Sequence, residues 1–258
     1  MKPLYLKGGE TRVEPDGPSL KVAKSGQADC WFPLRRVSRV ISSTRVQWKL
    51  EALLACSREG ITVSFLDDEG AVVARLVGRP GEREEIRQRL ADFIDRPDWR
   101  EAYSAWCAGM EQMAARSVAR RAGFPPNDLP SPRDLRQALR RQAADHRLLT
   151  AYDHVGRQVQ GLLTGYVTQR LTEAGVCPEL AGWSELDLTG DLTRILFWDF
   201  RLPRLAWLAA RRDRGEPPTP PEADVVAFFE ARQDRTAALL RGLLNRLHHW
   251  LIEQYRWR

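Results

Sequence analysis

The apolar positions change their spacing part-way along the chain. Up to about residue 78 they fall in short blocks separated by polar turns: Leu20-Lys21-Val22, Trp31-Phe32-Pro33-Leu34, 37–41 and 61–66. Blocks of this length, bounded by Gly, Pro and Asp, predict strands. Pro15-Asp16-Gly17-Pro18 reads as a turn before the first block. Asp67-Asp68-Glu69-Gly70 reads as the turn of a hairpin whose second strand is 71–76. Between these strands, 48–56 has helical apolar spacing, and Gly60 closes that helix because glycine takes a positive φ at little cost.

After Gly78-Arg79-Pro80-Gly81 the spacing becomes helical, with helices predicted over 83–94 and 99–122. The proline-rich stretch 123–130 is a connector, and Ser131 is placed to cap a helix that begins at Pro132 or Arg133 and reaches at least Ala144. A long helix over 152–174 carries a broad apolar face through Val155, Val159, Leu162, Tyr166 and Leu171, and stops at Gly175. The block 192–199 is apolar but too short to separate helix from strand. Helix is expected again over 205–212, a loop over 215–221, and a final helical face from Phe228 through Leu239, Leu240, Leu243, Leu244, Leu247 and Leu251. The expected fold is therefore α+β. A small N-terminal β-rich domain with one internal helix (1–78) precedes a larger predominantly α-helical domain (79–258).

Composition narrows the function. Apolar types make up 43% of the 258 residues and charged types 29%, which fits a soluble globular protein. No apolar run approaches the roughly 20 residues of a membrane span, and the start lacks the apolar core of a secretory signal. No membrane association and a cytoplasmic location are expected. Cys30, Cys56, Cys107 and Cys177 are too scattered for a zinc knuckle or a disulfide framework, so buried or partly buried free thiols are expected. His248 and His249 adjoin and do not form a helical chelate. His146 and His154 would share a face only on a continuous helix, and a surface or packing role is favoured. A formal charge of +6 and a pI near 9.4 point to anionic partners, nucleic acid first. Lysine occurs only at 2, 7, 21, 24 and 49; the remaining cations are arginines, whose planar fork suits phosphate oxygens.

Several segments then become informative through their order. They are the run Gly60-Ile61-Thr62-Val63-Ser64-Phe65-Leu66, the earlier Phe32-Pro33-Leu34-Arg35-Arg36-Val37-Ser38-Arg39-Val40, and the long helix ending at Gly175. Gly175-Val176-Cys177-Pro178-Glu179-Leu180 and Arg194-Ile195-Leu196-Phe197-Trp198-Asp199-Phe200 follow. Together, over nearly the entire chain, they resemble the CRISPR-associated integrase family. The resemblance implies dimers of a β-domain and a helical domain, with 1–78 serving dimerisation and DNA or partner contact, that grip a small companion subunit and insert short DNA into a repeat array. It also implies a glutamate, a histidine and one or two acidic residues holding Mg²⁺ or Mn²⁺, ions that prefer oxygen ligands.

Set against that pattern, the ligands are missing. Leu139-Arg140 stands where Glu-Gly is expected, and Ser184, or Glu185 with one inserted residue, stands for the histidine. Asp199 fits a retained aspartate, while Leu202 and Pro203 replace the acidic group beyond it. Asp199 is expected to have an arginine partner, Arg201 or Arg204, because a buried unpaired carboxylate is costly. A rebuilt site from Glu185, Asp187, Asp191 and Asp199 is the less simple reading; solvent-facing carboxylates account for the first three. No cofactor is expected, with Mg or Mn entering only if the chain is an active enzyme.

Loss of metal ligands leaves a DNA-binding role intact, since phosphate contacts need only cations. Arg133, Arg136, Arg140 and Arg147 can form one basic stripe, and Arg201, Arg204, Arg211, Arg212 and Arg214 form a second concentration. The leading expectation is a non-catalytic integrase-like subunit. It binds double-stranded or partly single-stranded DNA, or scaffolds a spacer-acquisition or related CRISPR complex. A homodimer, or a heterodimer with an active relative, and a small CRISPR companion subunit are the expected partners. The alternatives are an active metal-dependent DNA endonuclease or integrase of spacer acquisition, and a protein-only structural subunit. The terminal aromatics Trp250, Tyr255 and Trp257 are left open between docking on the body, a subunit contact and base stacking.

Overall fold

A computed structural model of the chain describes residues 2–77, 84–176 and 186–255. It groups into two compact units, Met1–Gln88 with Gly161–Thr189, and Arg89–Gln160 with Gly190–Arg258. The boundary expected at 78–79 lies outside the described residues.

The first unit holds two four-stranded sheets. One orders β1 (Lys2–Leu6), β5 (Val37–Ser43), β7 (Thr62–Leu66) and β8 (Val72–Leu76). The other orders β4 (Cys30–Pro33), β3 (Ser19–Lys24), β2 (Thr11–Asp16) and β6 (Gln47–Trp48). β2 and β3 form a hairpin closed by Gly17-Pro18, with Asp16 opposite Ser19 and Gly17 at φ 57°. The expected hairpin of β7 and β8 is present: Asp67 Oδ1 accepts from the amides of Glu69 and Ala71, and Gly70 takes φ 85°. β5 lies parallel to both β1 and β7. Such pairing requires a crossover between the strands, and α1 (Leu50–Arg58), stopped at Gly60 (φ 70°), lies between β5 and β7 in sequence. Leu4, Val40 and Val63 of one sheet, Val13 and Leu20 of the other, and Ala52 and Cys56 of α1 share one buried cluster. Each fully buried Val or Leu of this kind contributes about 1.5–3 kcal/mol.

Beyond the β-rich part the chain is helical. It continues through α2 (Glu84–Ile94), α3 (Trp99–Arg121), α4 (Pro132–Asp145) and α5 (Leu149–Glu173). α6 (Leu188–Leu196), α7 (Trp198–Asp213), α8 (Glu222–Glu230) and α9 (Gln233–Tyr255) complete it. The apolar block 192–199 is thus resolved as helix, the end of α6 and the start of α7. The later half of α5 belongs to the β-rich unit, where Gly161 and Gly165 allow close approach. A side chain on Gly161 would collide with the Gly70 carbonyl and Leu66, and one on Gly165 would meet Ser64 Oγ at 3.2 Å.

The structure departs from expectation at Cys30 and at Leu239. Cys30 is exposed rather than buried; Cys56 and Cys107 are buried free thiols, which burial pushes up to about 12 and about 11. Cys177 lies outside the described residues. His146 and His154 share no helix, because α4 stops at Asp145 and Arg147 adopts φ 58° before α5 begins. Leu239 faces solvent while Leu240, Leu243, Leu247 and Leu251 are buried. Trp250 docks within the second unit, 4.9 Å from the ring of Phe93 and 5.8 Å from that of Trp106; the Tyr255 side chain and Trp257 lie outside the described residues. No helix among the described residues is long and apolar enough to cross a membrane.

Candidate nucleic-acid interface

The second unit brings parts of both expected arginine groups into one groove. Ser131 caps α4 by accepting from the Asp134 amide, and Pro132 occupies the first turn. Leu135, Leu139 and Ala143 recur at i,i+4 and are buried, which turns Arg133, Arg136 and Arg140 toward solvent. These three line a groove of about 910 Å³ with Arg201 and Arg204 of α7 and the first turns of α5. Arg141 and Arg157, not singled out from the sequence, line it too. Seven arginines thus face a single lining aspartate, Asp153, which accepts from Arg140 Nη2 at 2.6 Å.

Arg201 and Arg204 lie deepest. Arg204 is 2% exposed, its Cζ 3.7 Å from the centre of the Tyr152 ring and 5.1 Å from that of Phe197. Arg201 stacks on Trp198 and Phe197 at 4.6 and 4.9 Å. Rings hold a guanidinium by its face while its edge nitrogens stay available for hydrogen bonds. Burial, reinforced by the charges of Arg204 and Arg136, pushes Arg201 down to about 10; burial lowers Arg204 as well. Gly156 makes the room: a Cβ there would collide with Arg204 Nη1 and lie 3.0 Å from Cζ.

The remaining expected arginines are elsewhere in the unit. Arg147, Arg211 and Arg212 border a separate cleft of about 420 Å³. Arg211 is buried between Glu216 and Asp224, at 2.8 and 2.7 Å. Arg212 pairs with Asp213 at 2.7 Å and donates to the His146 carbonyl. Arg214 pairs with Glu216.

Asp199 is partnered, but not by the neighbours expected of it. Arg201 and Arg204 point into the groove, and Asp199 instead meets three arginines from distant segments. Oδ1 receives Arg121 Nη1 at 3.0 Å and Arg235 Nε at 3.0 Å. Oδ2 receives Arg232 Nη2 at 2.6 Å and Arg235 Nε at 2.9 Å. Pro203 has no amide hydrogen to bond the Asp199 carbonyl one turn back, and Arg232 Nη2 donates to that carbonyl at 3.3 Å. Burial alone would raise the Asp199 pKa. The hydrogen bonds from Arg235 and Arg232, with the charges of Arg232 and Arg121, overcome it and hold the carboxyl below its usual value.

Among the described residues no three His, Cys, Asp or Glu side chains cluster, and a cation at Asp199 would have to displace guanidinium groups from both oxygens. Asp191 pairs with Arg194 at 2.8 Å; Ser184 and Glu185 lie outside the described residues. Leu139 is buried on the packed face of α4. A second carboxylate beside the start of α7 comes from α3 and was not singled out from the sequence. Glu111 of α3, mostly buried, accepts from Trp198 Nε1 at 3.2 Å, with Arg194 at 3.8 Å and Arg136 at 3.9 Å. A lone glutamate midway along α3, in the stretch Trp106-Cys107-Ala108-Gly109-Met110-Glu111-Gln112-Met113, was its only signal.

The family profile described as CRISPR associated protein Cas1 matches residues 4–158, more than half of the chain. The chain belongs to the Cas1 family. No curated protein sequence matches it. Solved structures share its fold: a CAS1 protein from Thermotoga maritima (12% identity, TM-score 0.70, 98% of this chain and 97% of that one). Another is TtCas1 in complex with DNA (15%, 0.64, 98% and 91%), and a third is a casposase bound to integration product (12%, 0.63, 98% and 91%). The β-rich sheets followed by a helical region are the Cas1 fold.

Proposed function

We propose that this Cas1-family chain is a non-catalytic, DNA-binding subunit of a CRISPR spacer-acquisition or related complex. The observation that carries the reading is the groove in which seven arginines face one aspartate. A surface of that charge releases counterions on binding phosphates and needs no metal to do so. Cas1-fold proteins bound to DNA or to an integration product, TtCas1 and the casposase, support DNA as the ligand. The non-catalytic part rests on Asp199, whose two oxygens are taken by Arg121, Arg232 and Arg235. The chain acts in the cytoplasm as a homodimer, or as a heterodimer with an active relative that supplies the metal chemistry, together with a small companion subunit.

Glu111 favours the second reading, an active metal-dependent integrase with displaced ligands, because it keeps one carboxylate beside the start of α7. Both are tested by assaying the complete assembly for strand transfer and nicking in Mg²⁺ and Mn²⁺ alongside DNA binding. The proposal expects salt-sensitive binding with no metal-dependent activity from this subunit. Activity lost on Glu111→Gln would replace it with the active reading, and absence of DNA binding would leave a protein-only scaffold.

A further inference from the structure

We propose that the floor of the arginine groove is a socket for a terminal phosphate monoester, gripped by Arg201 and Arg204 against Tyr152 and Gly156. The inference rests on the DNA-binding reading for the strand that carries the phosphate, and adds which part of that strand is held deepest.

The floor is incomplete in one chemical respect. Nε and Nη1 of Arg204 and Nε of Arg201 are buried without a hydrogen-bond partner. Neither guanidinium reaches a carboxylate among the described residues, and the groove's own aspartate is engaged by Arg140. Arg211, also buried, likewise leaves Nε unpartnered, but its Nη1 sits between Glu216 and Asp224, so its charge is balanced. A buried cation without a counter-charge is costly. A helical glycine is also costly, by about 1 kcal/mol relative to alanine, yet Gly156 occupies a position where any side chain would displace Arg204. The fold therefore holds two adjacent guanidiniums, their planes against aromatic rings, with three of their nitrogens buried and unpartnered and no carboxylate to balance them at the floor of a cationic groove. An anion is the missing partner.

Charge selects the kind of anion. An internal phosphodiester carries one negative charge. A terminal monoester carries about 1.5–2 at neutral pH, because its second pKa is about 6, and it offers three acceptor oxygens. Two desolvated arginines are balanced by the monoester and left half-compensated by the diester. Arg133, Arg136 and Arg141 on the rim then serve the phosphodiesters that follow.

The test compares one duplex carrying 5′-phosphate, 3′-phosphate or hydroxyl ends, with the dinucleotides pTpT and TpT as strand-free probes. The expected result is at least tenfold tighter binding of a phosphate-ended duplex than of the hydroxyl-ended one, and of pTpT than of TpT. Arg204→Gln removes the most buried group and can unfold the unit, so Arg201→Gln and Gly156→Ala are the working variants, each checked by thermal melting. Both should erase the end preference, whereas Arg133→Gln should weaken all duplexes equally and keep it. Equal affinity for phosphate and hydroxyl ends in a protein that binds DNA overturns the socket and leaves the DNA-binding reading standing. A preference for pTpT in a protein that binds no duplex sustains the socket as a nucleotide site and overturns the DNA reading. Failure of both probes overturns both.

Discussion

Gly156 lies against the guanidinium of Arg204, so close that a Cβ there would lie 3.0 Å from Cζ and collide with Nη1. Arg204 is in turn stacked on Tyr152, one helical turn before Gly156 on α5. The three residues make a fixed floor out of side chains that would otherwise repel or swing away. Placement of this kind matters more for phosphate recognition than charge alone, since hydrogen bonds to phosphate oxygens depend on the orientation of the fork.

Gly156→Ala should therefore separate binding from stability. Alanine gains about 1 kcal/mol of helix propensity, and displacing the Arg204 guanidinium costs a comparable amount. The melting temperature should change by only a few degrees while DNA affinity falls about tenfold. Parallel loss of both would mean that Gly156 serves packing alone.

How much of this was legible beforehand depended on whether the relevant partners are near in sequence. The β7–β8 hairpin, the Gly60 stop and the Ser131 cap are local devices, and each is present as expected. β1 was not foreseen, because its partner is β5, some 35 residues on and parallel to it, and no local pattern announces that pairing. The mistaken partners of Asp199 have the same cause. Arg201 is two positions along α7, and residues two apart on a helix do not face each other; the actual partners Arg232 and Arg235 lie beyond a loop and another helix. The groove is half visible in the sequence: the α4 stripe and the arginines after Asp199 stand out, but only the fold joins Arg201 and Arg204 to α4 and adds Arg141 and Arg157.

Asp199→Asn should destabilise the second unit by roughly 3 kcal/mol, because it leaves three guanidiniums without their counter-charge. The pH dependence follows from the lowered pKa of the carboxyl. A depressed folded pKa gives stability that is fully present above the ordinary carboxylate value and is lost as pH falls through the folded one. In denaturant titrations the gap between the native protein and the variant should stay constant from about pH 8 to 5 and close below about pH 4. A variant as stable as the native protein at pH 7 would show that the arginines need no counter-charge, and that Asp199 remains free for another ligand.

Leu139→Glu tests the position set against the family's glutamate. The side chain is buried on the packed face of α4 with Leu135 and Ala143, so a carboxylate there is withdrawn from water. The expected outcome is destabilisation of about 3–5 kcal/mol, in keeping with an uncompensated buried charge. It should bring no gain of Mg²⁺- or Mn²⁺-dependent nicking. A folded, metal-dependent variant would instead restore Leu139 to the place of a lost ligand.

The two arginine groups make opposite predictions for salt. Arg133, Arg136 and Arg141 are exposed on the groove and have the solvent access that phosphate contact requires. Neutralising any one of them should weaken binding to all sequences and reduce the slope of log affinity against log salt by about 1. Arg211 and Arg212 are already engaged, the first by Glu216 and Asp224 and the second by Asp213 and the His146 carbonyl. Arg212→Gln should leave affinity and slope unchanged. Arg211→Gln should lower the melting temperature, because it strands two acidic groups, without altering the slope for the fraction that stays folded. If the slope falls with Arg212→Gln and holds with Arg136→Gln, the phosphate path runs over the cleft beside α7's end and the groove is not the DNA-binding face.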